Sequence, residues 1–157
     1  MLTPQQMSDH IEITQLLYRY APAIDNRDFG SLASLFTSDA TIHYAVAGGT
    51  RLLVPAAVEW LRQALQMFRV TQHALSNPQI ELDGDTARAL TYVIATHVQV
   101  GLDGTEVYAV MHGAYSDRLV RTDAGWRISE RRLDDIHTQG RFLAPDRVRK
   151  FPLPASR

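Results

Sequence analysis

The sequence predicts an α+β fold, a cone-shaped barrel built from one long curved antiparallel sheet with three N-terminal helices enclosing a single pocket. Three observations predict it. All the helical periodicity precedes Val70. From Val70 onward, strand-forming runs are punctuated by Asp83-Gly84, Asp103-Gly104 and Asp123-Ala124-Gly125, residue types that tolerate the positive φ of hairpin turns. Helices first and strands afterwards is an order in which the helices settle on one face of the sheet, and 157 residues suit one such domain.

The first helix carries Ile13, Leu16, Leu17, Tyr20, Ala21 and Ile24 at three- and four-residue steps, so one face is apolar and must be buried. Asp9 with Glu12 makes a capping-box-like start. Pro22 lacks an amide hydrogen and predicts a kink near the helix end, just before Asp25. Asn26-Arg27-Asp28 reads as a turn whose last residue caps a short second helix bearing Leu32, Leu35 and Phe36. Thr41 to Val46 follows as a first strand, Gly48-Gly49 opens a loop, and Pro55 starts a third helix with Val58, Leu61, Leu65 and Phe68 as its inward stripe. A four-stranded antiparallel meander then runs approximately Val70–Leu82, Asp85–Leu102, Thr105–Arg121 and Trp126–His137. Strands longer than the usual 5–6 residues or so must twist and bend. Residues from Thr138 onward hold three prolines and little periodicity. They read as an extended tail, 138–157, placed to cover the pocket or a partner subunit.

Composition narrows the function classes. With 45% hydrophobic and 21% charged residues the chain is an ordinary globular protein rather than a disordered one. The absence of cysteine removes disulfides, thiolate nucleophiles, zinc ribbons and iron–sulfur clusters together. A formal net charge of −1 offers no field for nucleic acid, and the Arg147, Arg149 and Lys150 cluster reads as a solvated tail. No run approaches the roughly 20 apolar residues of a membrane span, and MLTPQQMSDH lacks the basic and apolar regions of a signal peptide. The expectation is a cytoplasmic protein with neither a membrane nor a nucleic-acid partner.

The order of elements from Asp9 to His137 resembles the nuclear-transport-factor-like superfamily, in particular its SnoaL-like branch. Two phrases carry the likeness: ITQLLYRYAPAIDNRDFGSLASLFTSDA is similar to the opening helix pair of that branch, and GAYSDRLVRTDAGWRISERRL to its last hairpin. The resemblance implies a single domain over 1–137 and assembly as a homodimer or higher homo-oligomer. Within the superfamily, Tyr20, Asp25 and His73 are similar to the tyrosine, aspartate and histidine of bile-acid dehydratases; lindane dehydrochlorinase resembles the chain in its aspartate–histidine pair. Scytalone dehydratase resembles it in using tyrosine and histidines around an elimination site. The superfamily also includes isomerases, cyclases and non-catalytic binding modules, so the fold decides no activity.

Those three residue types suit one chemistry. An imidazole titrates near neutrality and can take a proton from carbon beside a carbonyl, while a carboxylate fixes its tautomer and stabilises the imidazolium. His73 is the candidate base and Asp25 its orienter; Tyr20 is a donor toward a developing enolate or a departing hydroxide, or equally a core aromatic. His97 is a possible second histidine, conditional on one hairpin. A turn of Asp83-Gly84 alone sets His73 opposite Ile94 and His97 on the other face; a turn that also takes Asp85 sets His73 opposite Ala95, with His97 on the same face. Phe36, Trp60, Leu61, Phe68 and Tyr115 are candidate pocket-lining residues for a hydrophobic cyclic substrate such as a steroid, terpenoid or polyketide. His43, His112 and His137 stand as core or surface polar groups, and Arg127 and Arg131 as outer-face charges. No metal-ligand spacing, dinucleotide fingerprint, phosphate loop or Gly-x-Ser-x-Gly occurs, so neither metal nor cofactor is expected. The sequence therefore points to a cofactor-independent lyase of dehydratase type, or an isomerase or cyclase sharing its first proton transfer. The alternative is a non-catalytic small-molecule-binding or assembly module of the same fold.

Overall fold

The computed structural model describes residues 1–44 and 51–154. Helix α1, Pro4–Tyr18, begins a turn and a half before the expected start. Thr3 is its N-cap: the Thr3 hydroxyl accepts from the Gln6 amide at 3.2 Å while the Gln6 side chain accepts from the Thr3 amide at 2.9 Å, with Pro4 following at the first helical position. Asp9 is therefore no cap. It is a buried side chain that accepts from Arg121 Nη2 at 2.8 Å, Trp126 Nε1 at 3.1 Å and Gln5 Nε2 at 3.1 Å, and Glu12 accepts from Ser8 instead. These bonds staple α1 to the last hairpin. The Arg121 bond outweighs burial and draws the Asp9 carboxyl down to about 2. Asp9→Ala is expected to cost about 1–3 kcal/mol, because the indole N–H loses its acceptor in a buried setting. A chemical-denaturation midpoint equal to that of the unmodified chain would refute the staple.

The kink falls at Arg19, four residues before Ala23 and one turn before Pro22, whose missing amide leaves the Tyr18 carbonyl without its helical donor. Helix α2, Tyr20–Asp25, continues beyond it and ends on Asp25. Asp28 caps α3, Phe29–Ser34, by accepting from the Ser31 amide at 3.0 Å, as expected. Phe36 is not helical; it opens strand β1, Phe36–Tyr44, five residues before the expected strand. Val46 and Gly48-Gly49 lie outside the described residues. A short strand β2, Arg51–Leu53, leads into α4, Val54–Ala64, with Pro55 in its first turn. The meander is β3, Val70–Asp83; β4, Thr86–Val100; β5, Glu106–Thr122; and β6, Gly125–Gly140.

The six strands among the described residues form one sheet in the order β2-β1-β6-β5-β4-β3. The α+β class is as expected, but the sheet stays open, with β2 and β3 as its edges, and does not close into a barrel. It is also mixed: β1 pairs parallel with β6, while every other pairing is antiparallel. The helices pack on one face. Along β4 that face bears Ala87, Ala89, Thr91, Val93 and Ala95, all buried, while Arg88, Tyr92 and Ile94 point away. Small side chains there leave room for Tyr20, Ile24 and the aromatic groups beneath them.

At Gly140 the chain leaves the sheet with φ +84°, where a Cβ would stand 2.2 Å from the Tyr108 carbonyl oxygen, so only glycine allows the exit. The following residues run back across the ends of the strands. The Leu143 amide donates to Gln99 Oε1 at 2.7 Å, Arg149 N to Val100 O at 2.8 Å and Phe151 N to Gln66 O at 2.8 Å. No helix among the described residues is long and apolar enough to cross a membrane.

Candidate active site

Asp25 is the last residue of α2, and His73 lies near the start of β3. They are in direct contact. His73 Nδ1 lies 2.7 Å from Asp25 Oδ1, and the His73 backbone amide donates to Asp25 Oδ2 at 2.8 Å. An ionised carboxylate only accepts, so Nδ1 carries the proton and Nε2 is the basic nitrogen. Burial pushes the Asp25 carboxyl up, but the bonds from the His73 ring and backbone outweigh it, and the group is held below its ordinary value. The side chains are 6% and 19% exposed, which keeps most water from this contact.

His97 shares the face of His73, by a route the hairpin arithmetic does not contain. The turn consists of Gly84 and Asp85, with Asp83 opposite Thr86. Continued without interruption, that register would set His73 opposite Thr96 and turn His97 to the other side. A bulge at Asn77-Pro78, where Asn77 takes φ +53°, shifts the pairing by one residue, so His73 opposes Ala95 and His97 comes round. The two imidazoles meet edge to face with centroids 5.7 Å apart. His97 also packs against Phe68 at 4.9 Å and Phe142 at 5.5 Å.

Burial, followed by the neighbouring His73, lowers the His97 imidazole from 6.5 to about 4. Its Nδ1 is buried without a hydrogen-bond partner. The unfolded chain therefore binds a proton between about pH 6.5 and pH 4 that the folded chain refuses, and stability falls as pH is lowered through that window. The loss attributable to His97 is on the order of 2–3 kcal/mol. His97→Phe is expected to flatten the slope of unfolding free energy between those limits, and an unchanged slope would assign the acid sensitivity elsewhere.

Tyr20 is fully buried, its ring edge-on to His73 at 6.3 Å and to Tyr115 at 5.3 Å. Its hydroxyl does not contact His73; it shares a hydrogen bond of 3.1 Å with the Tyr44 hydroxyl. One O–H is consumed in that bond and the other stays available to donate. Burial raises both Tyr44 and Tyr115 well above 10, so both keep their protons. Of the expected lining residues, Phe68 reaches His97, Tyr115 reaches Tyr20, and Phe36 and Leu61 are buried in the core. Trp60 stacks on Tyr44 at 5.2 Å while staying 37% exposed.

Arg131 is not an outer-face charge. It is fully buried, paired bidentately with Asp117 through Nε–Oδ1 at 2.8 Å and Nη2–Oδ2 at 2.7 Å, and its guanidinium carbon lies 4.3 Å from the Tyr20 ring centre and 4.2 Å from that of Tyr115. Alternation from Trp126 and Ile128 would put Glu130 inside; a bulge at Ser129 moves the phase so that Arg131 and Leu133 point in. The switch of apolar residues from even positions at Trp126 and Ile128 to odd at Leu133 is the signal that could have found it. Tyr44 and Phe142 were not among the candidate residues; the Gly140 exit brings the tail that carries Phe142 back to His97. Among the described residues no three His, Cys, Asp or Glu side chains converge on a possible metal position.

Residues 5–132 match the family model of the SnoaL-like domain. An uncharacterized protein of Mycobacterium tuberculosis is 39% identical over 131 residues, which cover 83% of this chain and 88% of that protein. Among solved structures, a protein from Kribbella flavida superposes with a TM-score of 0.78 at 28% identity, covering 85% of this chain and 95% of its own. A hexachlorocyclohexane dehydrochlorinase from Novosphingobium barchaimii superposes with a TM-score of 0.75 over 89% of this chain and 97% of its own; at 18% identity this likeness is one of fold.

Proposed function

This chain belongs to the SnoaL-like domain family, and from that premise we propose that it is a cofactor-independent lyase of dehydratase type acting on a hydrophobic cyclic substrate that carries a carbonyl and a β-hydroxyl. The observation that carries the reading is the Asp25–His73 contact, which spends Nδ1 on the carboxylate and leaves Nε2 as a base at the end of a buried pair. Nε2 takes a proton from the carbon beside the carbonyl, and the C–H electron pair passes into an enolate. Tyr20 or Tyr44, whichever keeps its O–H free, donates to that oxygen as charge develops. Collapse of the enolate forms the carbon–carbon double bond and expels the hydroxyl, which leaves as water with the proton that His73 had taken. Asp25 stabilises the imidazolium between the two steps.

Isomerisation or cyclisation would use the same first step, with the proton returned elsewhere or the enolate captured by a second carbonyl. The aromatic rings around the histidines, Phe68 and Phe142 against His97 and Tyr20 against His73, support a flat hydrophobic substrate. The test is a panel of hydroxylated cyclic ketones and steroid acyl derivatives assayed for loss of water by mass spectrometry, the unmodified chain against His73→Ala. Product formed equally by both would end the proposal.

A further inference from the structure

Arg27 occupies the turn between α2 and α3 with φ +60°, a left-handed conformation that costs a non-glycine residue on the order of 1 kcal/mol. That turn folds its side chain back onto the chain. Nη1 donates to three acceptors at once: the carbonyl of Ile24 at 3.2 Å, the carbonyl of Asp25 at 3.0 Å and the Thr71 hydroxyl at 2.6 Å. Ile24 and Asp25 are the last two residues of α2. Thr71 is buried and stands two residues before His73 on β3, so the two share a face of the sheet. One nitrogen therefore ties the end of the helix that carries Asp25 to the strand that carries His73.

We propose that Arg27, acting through Thr71, is a positioning residue of the Asp25–His73 pair, which holds the carboxylate in register with the imidazole; this rests on the proton-transfer reading above. The geometry explains why an arginine is there. The pair itself is closed by two bonds between α2 and β3, both made by one carboxylate. A carboxylate at the end of a six-residue helix has several rotamers, and a shift of about 1 Å at such a contact costs roughly 100-fold in rate. The guanidinium removes that freedom from the backbone side. Electrostatics run the same way: burial lowers the Arg27 guanidinium and the nearby Asp25 charge raises it, while Thr71 helps to keep the Asp25 carboxyl low. The cation adds to the forces that keep His97 neutral.

The experiment follows the His73 imidazole by proton and nitrogen NMR in the full-length chain, the ring resonances being assigned by their loss in His73→Ala. In the unmodified chain the Nδ1 proton is expected at low field and protected from solvent. In Arg27→Gln it is expected to exchange at least about 10-fold faster and to move upfield, and Thr71→Val to do the same to a smaller degree. A turn residue without a positioning role would lower the melting midpoint and leave both readings where they were, which would overturn the proposal. If Arg27→Gln fails to fold, Thr71→Val decides by the same criterion. Asp25→Asn separates the two levels: a His73 resonance indifferent to Asp25 would end the proton-transfer reading itself, whatever Arg27 does.

Discussion

His73→Ala is expected to reduce turnover about 10²- to 10⁴-fold, the range lost when a positioned general base is removed. The KM should change far less, because the role proposed for the ring is to accept a proton rather than to supply most of the binding surface. Stability should move little. The backbone amide of His73 keeps its 2.8 Å bond to Asp25, so the carboxylate loses one partner and not both. The net cost of the lost ring bond is about 1–2 kcal/mol, a few degrees of melting midpoint for a chain of this size. The separation of the two readouts is the point of the experiment. A large loss of turnover with a small thermal shift assigns the ring to chemistry; a collapse in both would make His73 a packing residue. Asp25→Asn is the companion, since an amide can present its N–H₂ to Nδ1 and favour the tautomer whose proton sits on Nε2, which blocks the base without removing it.

How much of this site was legible depends on which feature of the backbone carries each residue. Helix periodicity placed Tyr20 on the buried face and Pro22 announced the break that leaves Asp25 at a helix end. Those readings need only local rules. The relation of His73 to His97, and of Arg131 to Tyr20, depends instead on two bulges, at Asn77-Pro78 and at Ser129, each of which reverses the inside and outside of a strand. Both leave a trace. Leu75 is inward at an odd position, and Ile80 and Leu82 are the apolar residues that follow at even ones, with a proline between them, which is where a strand proline is tolerated. An alternation rule applied in one phase from end to end misses the reversal. Strands β1 and β2 were harder still, because β1 pairs with β6 across nearly ninety positions and is parallel to it, so no turn announces the pairing.

The second large effect concerns Asp117. Removing its carboxylate with Asp117→Ala leaves the Arg131 guanidinium fully buried and uncompensated, and breaking a buried pair in this way costs about 3–5 kcal/mol. Burial works to lower the Arg131 guanidinium, and the charge and bonds of Asp117 more than reverse it, so the arginine cannot shed its proton in the folded chain. Stability alone does not explain why the pair is present, because well-packed apolar residues in place of a buried ion pair are often neutral or stabilising. Asp117→Leu combined with Arg131→Met should therefore recover most of what Asp117→Ala loses. What it should not recover is turnover. The guanidinium is packed against the rings of both Tyr20 and Tyr115, and a desolvated cation over two aromatic faces fixes their tilt in a way a flexible thioether does not. Tyr20 in turn shares its hydroxyl with Tyr44 and sets its edge against His73. A stable double variant with impaired turnover would assign the buried pair to holding the tyrosines in place beneath the base; a stable double variant with full turnover would return it to the core as a replaceable filler.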